Sequence, residues 1–372
     1  MSVERGLLRD VSQRERPLPH PVLGDRGRVS ARREKIRVFV TGPDSEDRVR
    51  GRVRIDVDLR HDVAAGAVLK HSRDFNLTRE AVLGSALSPE TPVYDLQQAC
   101  ATGLETVMGL ANKIKLGQIE SGIAGGVDSA SDAPIAVSEG LRAVLLELNR
   151  AKTLQQKLTA VAKLRPKDLA PNAPGTAEPR TGLSMGEHQA LTTAAWNISR
   201  EPQDELALAS HKNLAAAYDR GFFDDLVMPY QGVARDNNLR ADTSLEKLAA
   251  LKPAFDRSAA GTLTAGNSTP LTDGAAAVLL CSEQYAEQHQ LPVQAYLVQG
   301  RTTAIDFVGG EGLLMAPAIA VGEMLQRAGL TLQDFDFYEL HEAFAAQVLC
   351  TLKAWEDDDW CRGHGLSQAL GS

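Results

Sequence analysis

The stretch from Val93 to Ser131 constrains the fold more than any other. Pro92 precedes Val93-Tyr94-Asp95-Leu96, which reads as one short extended segment. Cys100 follows soon after. From Leu104 to Leu116 the apolar residues Leu104, Val107, Met108, Leu110, Ala111 and Ile114 recur at helical spacing. Ile123 to Asp128 then reads as a buried strand. The pattern is strand, helix, strand, and Cys100 falls at the first junction, near the opening turn of the helix. Unpaired N–H groups and the positive end of the helix dipole favour thiolate over thiol there. A thiolate so held is a nucleophile for acyl transfer. Position alone leaves open the plainer role of a small buried hydrophobe.

The rest of the chain excludes several classes. With 372 residues there is room for two domains or one large layered domain. A net charge of −8 gives no reason to expect a nucleic-acid partner. The cysteines at 100, 281, 350 and 361 form no Cys-x-x-Cys pair and have no paired histidines, so neither a metal site nor a disulfide framework is signalled. No stretch approaches transmembrane length and the N-terminus has no apolar signal core, so a cytoplasmic protein is expected.

Residues 1–62 stand apart. They carry 14 arginines, one lysine and 11 acidic residues, a positive balance on an acidic chain. Only Ile36–Val40 and Val53–Leu59 alternate well enough to suggest strands. A disordered or loosely attached basic tail is one expectation for this segment. From Val63 the pattern becomes orderly. Ala65–Leu69 reads as a strand, and Asn76 or Thr78 is placed to cap a helix that follows. Residues 141–181 hold two amphipathic helices with basic outer faces, then a Pro-rich connection. Ser199-Arg200-Glu201-Pro202 marks a helix start. Later, Val293–Val298 reads as a strand, Ala316–Ala328 as a helix, and Phe335–Leu340 as an alternating strand running into His341.

Several blocks together resemble one family. Gln97-Gln98-Ala99-Cys100-Ala101-Thr102-Gly103-Leu104 is similar to the nucleophile motif of the thiolases, which cleave or form 3-ketoacyl-CoA. Ala124–Ser131, Ser184-Met185-Gly186-Glu187-His188, Gly261–Leu280 and His341-Glu342-Ala343-Phe344-Ala345 follow that family's pattern too, from about Val63 to about Leu352. The histidine form of the last block resembles the β subunits of fatty-acid-oxidation complexes. The resemblance implies an α/β fold of two similar halves layered α-β-α-β-α, with the second half incomplete. The N-terminal half would comprise 63–140 and 182–255, the loop region 141–181, and the C-terminal half 256–372. It implies catalytic roles for Cys100, as acyl acceptor, and His341, as donor to the thioester oxygen. It places Met185, Ser268, Thr269 and Phe344 against acyl-CoA. Coenzyme A would be a substrate, with no resident cofactor and no metal. A homodimer, or a complex with a hydratase/dehydrogenase α subunit, is the implied assembly, and β-oxidation of fatty acids the implied role.

Two departures are also legible. The family's opening strand, Arg-Thr-Pro-like loop and helix have no counterpart here, which a reading-frame shift upstream of about Asp62 would explain. Its closing Gly-His-Pro and Cys-x-Gly-Gly motifs are also missing; Cys361-Arg362-Gly363-His364-Gly365 is a chance likeness in the wrong order. A poorly soluble or inactive chain, at most binding CoA or a partner, is the alternative that this departure sets up.

Overall fold

A computed structural model describes the backbone of Ile36–Val40 and residues 61–371 in full. The strand expected at Val53–Leu59, and the tail proper, lie outside the described residues. A six-stranded mixed sheet organises the fold, with strands β1 (Ile36–Val40), β2 (His61–Ala65), β3 (Val93–Asp95), β4 (Ser121–Asp128), β7 (Gly274–Cys281) and β8 (Ala295–Leu297). Their order across the sheet is β3-β2-β4-β7-β1-β8. β3, β2 and β4 run parallel, and β7, β1 and β8 continue antiparallel from β4. A two-stranded ribbon, β5 (Ala136–Val137) with β6 (Pro171–Asn172), closes off the loop region.

Ile36–Val40 thus joins the sheet between β7 and β8, so part of the Arg-rich block belongs to the sheet. The strand expected at Ala65–Leu69 instead lies at His61–Ala65. Its neighbours explain the shift: β4 begins to pair at His61, whereas Val68 and Leu69 give their amides to the Asp128 carboxylate.

Helix α2 (Thr102–Lys115) crosses from β3 to β4 as expected, but its buried stripe differs from the apolar one. Thr102, Thr106, Leu110, Ala111 and Ile114 face the sheet, while Leu104 is 70% exposed. Threonine can be buried because its hydroxyl is satisfied: Thr106 Oγ1 donates to the Gly103 and Gly125 carbonyls at 2.7 and 3.2 Å. Leu110, fully buried, packs with Ala64, Ile114, Ile119, Ala124 and Leu280. Burying a side chain of that size contributes about 2 kcal/mol.

Helix α1 (Leu77–Leu83) has Asn76 at its cap position, yet neither Asn76 nor Thr78 caps it through a side chain. The Asp95 carboxylate does so from β3, accepting the Leu77 and Thr78 amides at 3.1 and 2.9 Å. Helices α3 (Glu139–Arg150) and α4 (Leu154–Val161) form the expected pair in the loop region, α4 opening on a Thr153/Gln156 capping box. Then come α5 (Met185–Ala195), α6 (Arg200–Asp219), α7 (Leu245–Ala249) and α8 (Glu283–Gln288). The later part of the chain holds α9 (Ala316–Ala328), α10 (Ala345–Glu356) and α11 (Asp358–Gly363).

Phe335–Leu340 is not a strand. No strand lies beside it among the described residues, so its amides and carbonyls have no ladder to enter, and Phe337 stays 92% exposed. Beyond β8 the described chain forms helices, which pack on one another rather than on a second sheet. Ala318, Leu325, Leu332 and Trp355 form their core, and Trp355 Nε1 donates to the Ala318 carbonyl at 3.0 Å. Among the described residues no helix is long and apolar enough to cross a membrane. The same residues hold no cluster of three or more His, Cys, Asp or Glu placed for a metal.

Candidate active site

Open parallel sheets place functional groups beyond the carboxyl ends of their strands, and Cys100 lies there, past the end of β3. The turn that presents it is strained: Ala99 has φ +44° without being glycine. Three bonds lock that turn. Ala101 N donates to Gln98 O at 2.9 Å, Thr102 Oγ1 donates to Ala99 O at 2.8 Å, and the Gln98 amide donates to Thr102 Oγ1 at 2.8 Å. α2 starts two residues after Cys100, whose side chain stands exposed.

The floor beneath the turn is made of backbone at close quarters. A Cβ on Gly66 would lie 1.8 Å from the Leu96 carbonyl oxygen, so only glycine fits. The Val127 amide donates to Gly66 O at 3.0 Å. Segments 66–69 and 125–128 therefore lie against the 96–103 turn that carries Cys100. The other three cysteines are buried. Burial pushes the Cys350 thiol in α10 up to about 12, and raises that of Cys361 as well, where Sγ meets the Ala354 carbonyl. Neither is suited to attack a thioester.

Four expected contacts with acyl-CoA come together elsewhere. Phe344 is buried with Leu263 and Ala346, and Met185, the first residue of α5, packs against this cluster. Ser268 pairs with Phe344 as an isolated antiparallel bridge, and Thr269 N donates to Ala343 O at 2.9 Å. The Ser268 and Thr269 hydroxyls make only long contacts, 3.5 and 3.4 Å, to Asn267 Oδ1 and Pro270 O. Both have spare capacity for a ligand's amides.

His341, expected at the end of a strand and at a helix start, has neither in the structure. It is exposed and precedes α10 by four positions, with Phe344 as the cap residue, so it is not on the first turn. The described residues give its ring no hydrogen-bond partner. No hydrogen bond or ion pair among them joins Cys100 or His341 to the Met185–Phe344 cluster.

Other histidines have structural roles. His71 Nε2 bonds the Asp132 carbonyl at 2.7 Å. His188 is buried, bonded to Thr181 Oγ1 at 2.7 Å and edge-on to Phe307. His364 lies over Trp360 and bonds its carbonyl.

Sequence reasoning missed the polar residues behind the cluster. Asp204 and Asn267, 4% and 3% exposed, bond each other. A buried Asn inside a Gly/Ser/Thr turn was the available signal, since such a group must find partners. A small depression lined by His61, Asp62, Ser88, Thr91 and Ser121 opens at the other end of the sheet, at the amino ends of β2 and β4, away from Cys100. Its position argues against a part in the same chemistry.

Comparison with known proteins adds to this geometry. Residues 48–284 match the family model "Thiolase, N-terminal domain", and residues 291–367 match "Thiolase, C-terminal domain". The chain is 44% identical over 328 residues to a 3-ketoacyl-CoA thiolase of Pectobacterium atrosepticum, covering 86% of this chain and 74% of that one. Its fold superimposes on a Bacillus anthracis acetyl-CoA acetyltransferase at TM-score 0.66 and 28% identity, over 84% of this chain and 76% of the other. Human mitochondrial 3-ketoacyl-CoA thiolase, at 24% identity, shares the fold at TM-score 0.70 over 91% and 89% of the two chains.

Proposed function

This chain belongs to the thiolase family, and from that premise we propose that it cleaves 3-ketoacyl-CoA with coenzyme A through an acyl-enzyme on Cys100. The observation that carries the reading is the presentation of Cys100: an exposed thiol on a strained turn, at a helix head, on a glycine floor, at the carboxyl edge of a parallel sheet.

In the first step the Cys100 thiolate attacks the C3 carbonyl. The C2–C3 bond breaks and its electron pair leaves on C2 as the enolate of acetyl-CoA, which takes up a proton. In the second step the thiol of coenzyme A gives up a proton, which balances the one taken up by the enolate, and its sulfur attacks the thioester carbonyl. The shortened acyl chain leaves as acyl-CoA and Cys100 is regenerated. Both steps build negative charge on a thioester or ketone oxygen, where a donor stabilises the transition state; His341 is assigned that role. Met185 and Phe344 offer an apolar wall, and Ser268 and Thr269 offer hydroxyls, to the pantetheine arm. Coenzyme A enters as a substrate, and the steps call on no metal or resident cofactor. A homodimer, or a complex with an α subunit that makes the 3-ketoacyl-CoA, is the assembly that fits this role. The alternative of an inactive chain is not favoured, because the 44% identity spans 86% of the chain.

The test uses purified protein with acetoacetyl-CoA and coenzyme A. Loss of the ketoacyl-CoA absorbance and a mass increase on the peptide holding Cys100 are expected. Full turnover with Cys100 replaced by Ser would overturn the assignment.

A further inference from the structure

The turn at Ser268–Thr269 and the segment His341–Phe344 are distant in sequence, and the proposed chemistry needs them in register. Besides the Ser268–Phe344 bridge and the Thr269–Ala343 bond, a third link comes from Asn267. The Asn267 carbonyl accepts the amide of Ala345, the first residue of α10, at 3.0 Å. No side chain caps this helix, so Asn267 satisfies one of its orphan donors. The Asn267 side chain holds its own loop in place: Oδ1 accepts the Thr264 amide at 2.8 Å, and Nδ2 donates to the Thr262 carbonyl at 3.2 Å.

Behind Asn267 stands a buried carboxylate. Asn267 Nδ2 donates to Asp204 Oδ1 at 2.9 Å, and Arg200 Nε donates to Asp204 Oδ2 at 2.7 Å. Arg200 extends further, to the Leu248 carbonyl at 2.6 Å and to that of Leu251. Leu248 and Leu251 are the side chains that press on Gly266, whose Cβ would lie 2.7 and 2.5 Å from them. Gln203, next to Asp204 on α6, donates to Thr262 Oγ1 at 2.9 Å. The loop 262–267 is thus gripped by side chains from one turn of α6.

We infer that Asp204 is a positioning residue: through Asn267 it sets the register between the Ser268–Thr269 turn and the His341–Phe344 segment, and so the geometry of the acyl-CoA site. The inference rests on the functional reading above. A carboxylate suits the task because it only accepts, and here both neighbours only donate towards it. An amide at 204 would turn a donor towards either Arg200 or Asn267. Loss of a charge-assisted bond to a buried partner lets that partner move.

The experiment compares D204N, N267D and the exchanged pair D204N/N267D, in which an amide at 204 again faces a carboxylate at 267. Each chain is measured for kcat and KM in thiolysis, for coenzyme A binding by calorimetry, and for thermal unfolding. Each single variant is expected to lose about 10–100-fold in kcat, the scale of a small misplacement of catalytic groups. The exchanged pair restores the 204–267 bond but leaves the Thr262 carbonyl without its donor, so it is expected to lose less than the two single losses multiplied together, as coupled residues do in a double-mutant cycle. Singles that keep parent kcat and coenzyme A affinity would overturn the inference, as would an exchanged pair whose loss equals the two single losses multiplied together. If D204N is not recovered folded, N267S supplies the same reading, since it removes the amide and leaves the Arg200–Asp204 ion pair intact. A parent chain without turnover would sink the functional reading alone, and coenzyme A affinity across the series would then decide the inference.

Discussion

Cys100 and His341 are held by different physical means. Cys100 rises from a sheet: β3 leads into its turn, β2 and β4 lead into the two segments that lie against that turn, and glycine at 66 lets those backbones touch. His341 follows a segment, 335–340, that enters no ladder, and the bonds nearest it are those of Ala343, Phe344 and Ala345 with the 267–269 turn. The first region owes its precision to parallel pairing and close packing. The second depends on a few loop bonds and the buried polar group behind them. Damage to the first should therefore be local and steep, while damage to the second should be spread over several residues.

The largest effect is expected from Cys100→Ser. It removes the proposed nucleophile while leaving the turn intact, so kcat should fall by about 10^4-fold or more with the unfolding temperature unchanged. The same comparison can be made chemically. Cys100 is the exposed cysteine, and Cys281, Cys350 and Cys361 are buried. Iodoacetamide on the folded chain should add one label, on the Cys100 peptide, and stop turnover in proportion. His341→Ala comes next, with a loss of about 10^2–10^3-fold in kcat, the usual effect of deleting one oxyanion donor. If KM rises instead and kcat holds, His341 serves binding, and the two regions differ in task as well as in support.

What the sequence revealed follows the same division. The β3–α2–β4 unit was legible because its elements are local and periodic, and its cysteine sits where two periodicities meet. The α2 face was misread at Leu104 because hydrophobicity ignores threonines that satisfy their own hydroxyls, as Thr102 and Thr106 do. The strand at 335–340 was misread because alternation reports a residue's fitness for a sheet and says nothing of whether a neighbour is present. Asp204 was invisible, since its partner lies 63 positions away. The assembly of Met185, Ser268, Thr269 and Phe344 was legible only through family resemblance, because nothing periodic connects those segments.

Gly66→Ala tests the glycine floor directly. The added carbon would sit 1.8 Å from the Leu96 oxygen, which is backbone and cannot swing aside. Strand β2 or the Cys100 turn must shift. We expect a loss of about 2 kcal/mol, typical of overpacking, read in urea unfolding. Activity should fall further than the lost stability accounts for. The equivalent change at Gly103, which meets nothing within 4 Å, should be nearly silent.

The smallest effect sharpens the comparison through pH. Asp95 ends β3, caps α1 and pairs with Lys70 at 2.9 Å. Burial alone would raise its pKa, but hydrogen bonds from Thr78 and Lys70 outweigh it, and the group lies below its ordinary 3.8. A carboxylate with a depressed folded pKa stabilises the fold above the unfolded value and loses that contribution as pH falls through the folded one. Asp95→Ala should therefore cost about 1 kcal/mol at neutral pH, the usual cost of losing a cap. The gap between parent and variant should close as pH drops below 3.8, because protonation then removes the same bonds from the parent. Unfolding temperatures of the two chains between pH 7 and pH 2.5 measure this. A gap that stays constant with pH would mean that Asp95 acts through packing alone, and that the sheet edge feeding the Cys100 turn owes nothing to its charge.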